Sequence, residues 1–130
     1  MLYIYLFVFG RILLGGYFIM SGYGHFKNVA GLTGYAQSKG VPMPREGVLL
    51  SGLMMVLGGL GILLGVYIGY SVLLLAVFLF VASLKMHQYW KVTDQMAKMG
   101  ERINFTKNMA LLGAVLMLLM IPLPWAVALF

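Results

Sequence analysis

A long uncharged stretch of the chain, residues 47–83, constrains the fold more than any other feature. It contains no Asp, Glu, Lys or Arg over 37 residues. As one α-helix it would be about 55 Å long, nearly twice the roughly 30 Å hydrocarbon core of a bilayer. The stretch must therefore fold back on itself. Residues 65–70 predict the turn, because their glycines relax the backbone and their tyrosines suit a membrane interface.

The composition indicates lipid as the surrounding solvent. Hydrophobic residues make up 62% of the 130 residues and charged residues 9%, whereas a soluble domain carries about 25% charged residues. In lipid every backbone polar group must be bonded within the chain, so continuous apolar runs favour helices. The lack of cysteine excludes disulfides, thiolate chemistry and Cys-based metal sites.

The apolar segments predict an all-α fold, a polytopic membrane four-helix bundle that forms a single transmembrane domain over residues 1–130. The transmembrane helices are predicted at about residues 2–24, 46–65, 68–90 and 106–125. We expect the first segment to be a retained helix and not a cleaved signal peptide, because residues 1–9 carry no basic side chain.

Two polar loops separate these helices. Loop 26–45 predicts a short interfacial helix between helices one and two, because apolar residues recur at helical spacing from Val29 to Ala36 and Gly40 follows as a stop signal. Loop 91–105 is rich in charged residues, and we expect it to connect helices three and four outside the membrane.

The basic residues predict the orientation of the bundle. With four crossings, loops 26–45 and 91–105 lie on the same side, and eight of the nine basic residues are in or beside them. Basic residues of short loops stay in the cytoplasm, so we expect both loops to be cytoplasmic and both termini extracytoplasmic, in the cell (inner) membrane. The net charge of +6 then indicates contact with anionic membrane lipids and no binding to nucleic acid.

Helix one carries a cation, two glycines and a histidine on one face. Arg11, Gly15, Phe18, Gly22 and His25 are spaced by four, three, four and three residues, which places them within about 60° of one another around the helix. The glycines favour close helix packing. For Arg11 two interpretations stay open: a functional side chain, or one that reaches to the outer lipid headgroups.

Two further polar residues are expected at the depth of His25. On helix three His87 shares a face with Ser83 and Trp90, and on helix four Asn108 lies just inside the cytoplasmic interface. If their side chains converge, the three helices form a polar pocket at the cytoplasmic leaflet. The alternative is a hydrogen-bonded histidine at a helix end, with Trp90 in the aromatic belt of the membrane.

Two facing histidines are consistent with two ligands. They can hydrogen-bond the oxygens of a quinone headgroup and exchange its protons, or they can ligate a haem iron axially. Haem is the weaker option because no further haem motif is visible, and no metal cluster is indicated. The predicted ligand-binding residues are Arg11, His25, His87, Trp90 and Asn108.

Four motifs, in order along the chain, resemble those of the DoxX family of small bacterial and archaeal membrane proteins. They are GRILLG with SGYGHF (10–15 and 21–26), YAQSKGVP (35–42), GGLGILLG (58–65), and HQYW with NFTKNMAL (87–90 and 104–111). One departure is His25, where many members carry lysine. The resemblance implies a four-helix inner-membrane protein of the small-subunit type that is linked to thiosulfate:quinone oxidoreductase and other redox systems.

Three functions remain open at this point. The leading hypothesis is a membrane subunit of a redox complex that contacts quinone, at most one subunit of an oxidoreductase, with partner subunits or further copies of itself. The second is a non-catalytic scaffold or assembly partner, suggested by the glycine faces and by the absence of a complete catalytic set. The third, a small-molecule permease, is less favoured because four helices are few and no internal repeat is visible.

Overall fold

The computed structural model describes residues 1–128, so residues 129 and 130 of the predicted domain lie outside it. The described chain is all-α and contains no strand. Its helices are α1 (Leu2–Lys27), α2 (Val29–Ser38), α3 (Pro44–Leu64), α4 (Ile68–Met86) and α5 (Gln95–Met117), with 3₁₀ turns at Tyr89–Lys91 and Leu118–Met120. Four of them, α1, α3, α4 and α5, are long and apolar enough to cross a membrane. The predicted four-helix bundle, with a short helix between its first two crossings, is confirmed.

The predicted turn lies between α3 and α4. Gly65 adopts the left-handed conformation with φ 75°, and its N–H donates a hydrogen bond of 2.8 Å to the Gly61 carbonyl, which ends α3. Tyr67 also has a positive φ, 49°, and its ring is exposed. We call this end of the bundle the Gly65 end, and the opposite end, at which α2 lies, the α2 end.

The glycines of helix one pack α1 closely against α3. A Cβ added at Gly15 would lie 2.7 Å from the carbonyl oxygen of Gly59, and a Cβ at Gly22 would lie 2.7 Å from that of Gly52. Only hydrogen fits at these positions, so the two backbones approach along most of the bundle. The packing interpretation of these glycines is confirmed, and their face is used within the chain.

Helix α5 differs from its prediction at both ends. It begins at Gln95 and not near residue 106, because Asp94 accepts a hydrogen bond of 2.9 Å from the Ala97 N–H and caps the helix. Three of the charged residues assigned to loop 91–105, Lys98, Glu101 and Arg102, thus occupy the first turns of α5. The helix ends at Met117 and not near residue 125, with a 3₁₀ turn before Pro122. Helix α4 likewise ends at Met86, short of residue 90.

Candidate functional site

Arg11 lies at the Gly65 end, away from the histidines. Its guanidinium is buried and donates to four backbone carbonyls: Nε to Ile62 at 3.2 Å, Nη1 to Ala126 at 2.6 Å, and Nη2 to Leu63 at 2.9 Å and Val127 at 3.1 Å. It therefore satisfies the last carbonyls of α3 and ties the C-terminal segment to them. The side chain does not reach to lipid headgroups, and the predicted grouping of Arg11 with the histidines is wrong.

Two aromatic rings enclose this guanidinium. Its central carbon lies 5.5 Å from the centre of the Phe7 ring and 5.6 Å from that of Trp125, within the range of cation–π attraction. The two rings also contact each other edge to face, with 5.1 Å between their centres. Arg11 is thus held on all sides by protein groups and acts as a structural tie between α1, α3 and the C-terminal segment.

Trp90 is not part of the predicted pocket either. It belongs to the 3₁₀ turn after α4, and 48% of its surface is exposed. Its ring contacts Tyr89 and Phe105 edge to face, at 5.3 and 5.6 Å between centres. The helix predicted through residue 90 ends earlier, so the face that Trp90 was expected to share with His87 does not continue to it.

His25, His87 and Asn108 do converge. All three line a cavity of about 480 Å³ at the α2 end, and the same three border a second cavity of about 170 Å³. His25 comes from the last turn of α1, His87 from the residue that follows α4, and Asn108 from the middle of α5. The predicted pocket is therefore present, formed by these three residues without the other two.

The rest of the larger cavity is mostly apolar and opens sideways. Among its wall residues, Leu50 of α3 and Val77 and Val81 of α4 are about half exposed on the outer surface of the bundle. On helices that cross a membrane, such a surface faces lipid. A molecule dissolved in the bilayer can therefore enter between α3 and α4. Lys85 lies at the same mouth, one turn further along α4.

His25 is oriented by its own helix. Its Nδ1 lies 2.9 Å from the carbonyl oxygen of Ser21. A carbonyl accepts only, so Nδ1 carries the proton and donates it. The ring packs edge to face against Phe78 of α4, with 6.1 Å between the centres.

His87 is oriented by Glu101, which the sequence did not indicate as a site residue. The His87 Nδ1 lies 3.2 Å from Glu101 Oε2, while the Tyr35 hydroxyl donates to Oε1 at 2.6 Å and the Lys39 ammonium lies 3.4 Å from Oε2. The carboxylate thus joins α2, α5 and the end of α4, and only 12% of its side chain is exposed. Three donors on one carboxylate favour its ionised form.

The signal for Glu101 was present in the sequence but concealed. Glu101 and Asn108 are seven residues apart, almost two full turns, so they share a face of one helix. Because residues 91–105 were predicted to form a loop, Glu101 was not placed on the same helix as Asn108. No pattern in the sequence indicated Tyr35 or Lys39 as partners of Glu101, because the sequence does not specify against which part of the bundle α2 packs.

Tyr35 stays neutral in this cluster. Burial raises the pKa of its hydroxyl well above the usual value, and the hydrogen bond to Glu101 and its negative charge raise that pKa further. The hydroxyl is therefore a permanent hydrogen-bond donor to the carboxylate at neutral pH.

Asn108 is the third polar group of the cavity. It is 7% exposed, and its side-chain amide makes no hydrogen bond to any residue within 1–128. Buried amides normally have a protein or water partner. Also within the described part, no three His, Asp or Glu residues lie close enough to hold a metal ion. The site thus offers two imidazoles and one amide to a small polar group.

The family model described as DoxX matches residues 6–88. The chain belongs to the DoxX family. This confirms the resemblance that the motifs indicated, and it supports a multi-pass membrane protein. The match contains His25 and His87 and ends before α5 begins, so Glu101 and Asn108 lie outside it. Neither curated proteins nor solved structures gave a match.

Proposed function

We propose that this DoxX-family protein is an integral subunit of a membrane redox complex and binds a quinone headgroup in the larger cavity. The observation that carries the proposal is the convergence of His25, His87 and Asn108 on one side of an apolar cavity that opens to the lipid. Quinones are dissolved in the bilayer, so a site for their headgroup needs lateral access together with a few polar contacts.

The residues present fit such a ligand. The cavity volume of about 480 Å³ lies within the roughly 300–1,000 Å³ of small-molecule sites, which are mostly apolar with a few placed polar groups. The two imidazoles and the Asn108 amide are suited to hold the headgroup oxygens, and Leu50, Val77 and Val81 are suited to contact an alkyl tail. A bound quinone supplies two-electron, two-proton chemistry, and the imidazoles of this chain bind the oxygens and exchange their protons.

The sidedness belongs to the same proposal. The α2 end, which carries most of the basic residues, faces the cytoplasm of the inner membrane, and both termini are extracytoplasmic. A reporter fused after Phe130 is expected to read as extracytoplasmic. A cytoplasmic signal from that fusion contradicts this orientation.

The structure weakens one rival function. The scaffold hypothesis was based on the glycine faces and on the absence of a complete catalytic set. The faces of Gly15 and Gly22 are taken up by α3 of the same chain, so only the second ground remains. Haem has a specific observation in its favour, because metal-bound histidines also donate their second N–H to a carbonyl or a carboxylate. It stays the second candidate, and an optical spectrum distinguishes it from quinone.

The test is to purify the full chain in a mild detergent and to analyse its extracted lipids for quinones by mass spectrometry. We expect a quinone with the wild type, at least tenfold less with His87→Ala, and an unchanged amount with the control Trp90→Phe, whose residue lies outside the cavity. A Soret band in the spectrum would instead indicate haem. A sample with neither ligand, and a host redox activity unaffected by His87→Ala, would contradict both.

A further inference from the structure

The two cavity histidines share one tautomer. The Nδ1 of His25 donates to the Ser21 carbonyl at 2.9 Å, and the Nδ1 of His87 donates to the Glu101 carboxylate at 3.2 Å. Neither acceptor has a proton to give, so each Nδ1 must carry one. In a neutral imidazole the other nitrogen, Nε2, is then an acceptor.

Both Nε2 atoms are without a protein partner among residues 1–128, on rings that line the same cavity. The cavity therefore presents two hydrogen-bond acceptors from its histidines. An acceptor pairs with a hydroxyl and is left unpaired against a carbonyl, and an unpaired buried polar group costs binding free energy. Whether the site offers hydrogen-bond acceptors or donors therefore determines which oxidation state of a quinoid ligand it binds more tightly.

We infer that the cavity selects the reduced, hydroxyl-bearing form of its ligand, a quinol, and that Glu101 is the residue that sets this preference. The inference rests on the proposed function and adds to it the oxidation state of the ligand. The His25 and His87 Nε2 atoms accept from the two hydroxyls of the ring. Asn108, whose amide both donates and accepts, is compatible with either form.

Glu101 acts through His87 and is a positioning residue. Its negative charge holds the Nδ1 proton in place and makes Nε2 a stronger acceptor. When a hydroxyl proton moves to Nε2, the O–H bond breaks, an N–H bond forms and the electron pair stays on the oxygen. The positive imidazolium then lies against a carboxylate, which stabilises it. Tyr35 and Lys39 are the other groups that contact this carboxylate and keep it ionised.

The selectivity is measured as a ratio of two affinities. The purified full chain is titrated anaerobically with a short-chain 1,4-benzoquinol and, separately, with the matching 1,4-benzoquinone. We expect the quinol to bind about tenfold more tightly, the effect of one well-placed hydrogen bond over an unpaired acceptor. If neither compound binds, the proposed function fails. If both bind equally, or the quinone more tightly, this inference alone fails.

Two variants of identical chemistry test the role of Glu101. Glu101→Gln removes the charge behind His87, and we expect the quinol-to-quinone affinity ratio to fall toward one while quinone binding changes little. Glu46→Gln makes the same change at an exposed carboxylate outside the cavity wall, and its ratio should stay at the wild-type value. An unchanged ratio in Glu101→Gln overturns the assignment.

The tautomers of the two histidines can be tested on the wild-type protein without a ligand, so the result does not depend on whether a variant folds. The chain contains two histidines, so selective ¹⁵N-histidine labelling gives four ring-nitrogen signals by solid-state NMR. We expect both Nδ1 atoms to be protonated and both Nε2 atoms to be unprotonated at neutral pH. Protonated Nε2 on both rings would overturn the inference, because the cavity would then offer donors and suit a quinone carbonyl.

Discussion

At the Gly65 end Arg11 is surrounded by four backbone carbonyls and two aromatic rings. At the α2 end His25, His87 and Asn108 line a cavity and keep polar atoms that have no partner among residues 1–128. Both ends hold buried or partly buried polar side chains in an apolar bundle, where such groups are costly unless they are paired. A polar residue that is engaged by protein groups, as Arg11 is through four of its five N–H groups, contributes to the fold. One with a spare atom facing a cavity is available for a ligand.

The strongest test of this contrast is Arg11→Met. It removes four hydrogen bonds and leaves buried carbonyls unpaired, so we expect the bundle to lose about 3–5 kcal/mol of its free energy of unfolding. Denaturation of the purified protein in detergent, followed by circular dichroism, measures the loss. Arg45→Met, at an exposed position at the start of α3, serves as the control and should change little. Quinone retention by whatever Arg11→Met protein remains folded should be normal.

A second, smaller effect is expected between the two ends. In Gly15→Ala the new methyl group would lie 2.7 Å from the Gly59 carbonyl oxygen, which forces α1 and α3 apart and should cost about 1–3 kcal/mol of stability. Gly16→Ala places the same methyl group in open space. This control should be neutral or slightly stabilising, as alanine favours helix more than glycine does. Equal melting temperatures of Gly15→Ala and Gly16→Ala would contradict the close packing of α1 against α3.

The third prediction concerns the Glu101 cluster and its dependence on pH. Tyr35→Phe removes the 2.6 Å hydrogen bond to Glu101, and we expect a loss of about 1 kcal/mol, with faster hydrogen exchange in α2. Because folding raises the pKa of Tyr35, the contribution of its hydroxyl is complete below the unfolded value of roughly 10 and is lost as the pH rises through the folded value. The wild-type and variant stability curves should therefore begin to converge only above about pH 10.

The smallest change in stability is expected for the residue that matters to the ligand. Asn108→Leu removes an amide without a partner in the described residues, so stability should stay within about 0.5 kcal/mol of the wild type or rise. Quinone retention should nevertheless fall. A loss of stability comparable to that of Arg11→Met would show that Asn108 belongs to the fold, and the contrast between the two ends would fail.

The fold was predictable because lipid leaves few alternatives. An uncharged stretch of 37 residues had to cross the membrane twice, and the glycines of helix one predicted close packing against another helix. The boundaries of α5 were missed for a physical reason. Charged residues between apolar segments are typical of a loop, but a helix that extends past the membrane also carries charges on its first turns. Asp94 is the N-cap of this helix.

The site was predictable in depth and only partly in direction. The four crossings predicted one depth for His25, His87 and Asn108, but the structure was needed to show that the three side chains line the same cavity. Arg11 was assigned to the same group because it shares a helix face with His25. Fourteen residues separate the two, which is about 21 Å along a helix. Two residues on one helix face point in the same direction around the helix axis, but they can lie far apart along that axis.

The sideways mouth of the cavity determines how its occupancy is controlled. A molecule that reaches the site between α3 and α4 diffuses within the lipid bilayer and never passes through the aqueous phase. Its effective concentration is its mole fraction among the lipids, so even a modest affinity fills the site when the molecule is abundant in the membrane. Dilution with added phospholipid, at a constant amount of protein and ligand per volume, should therefore empty it.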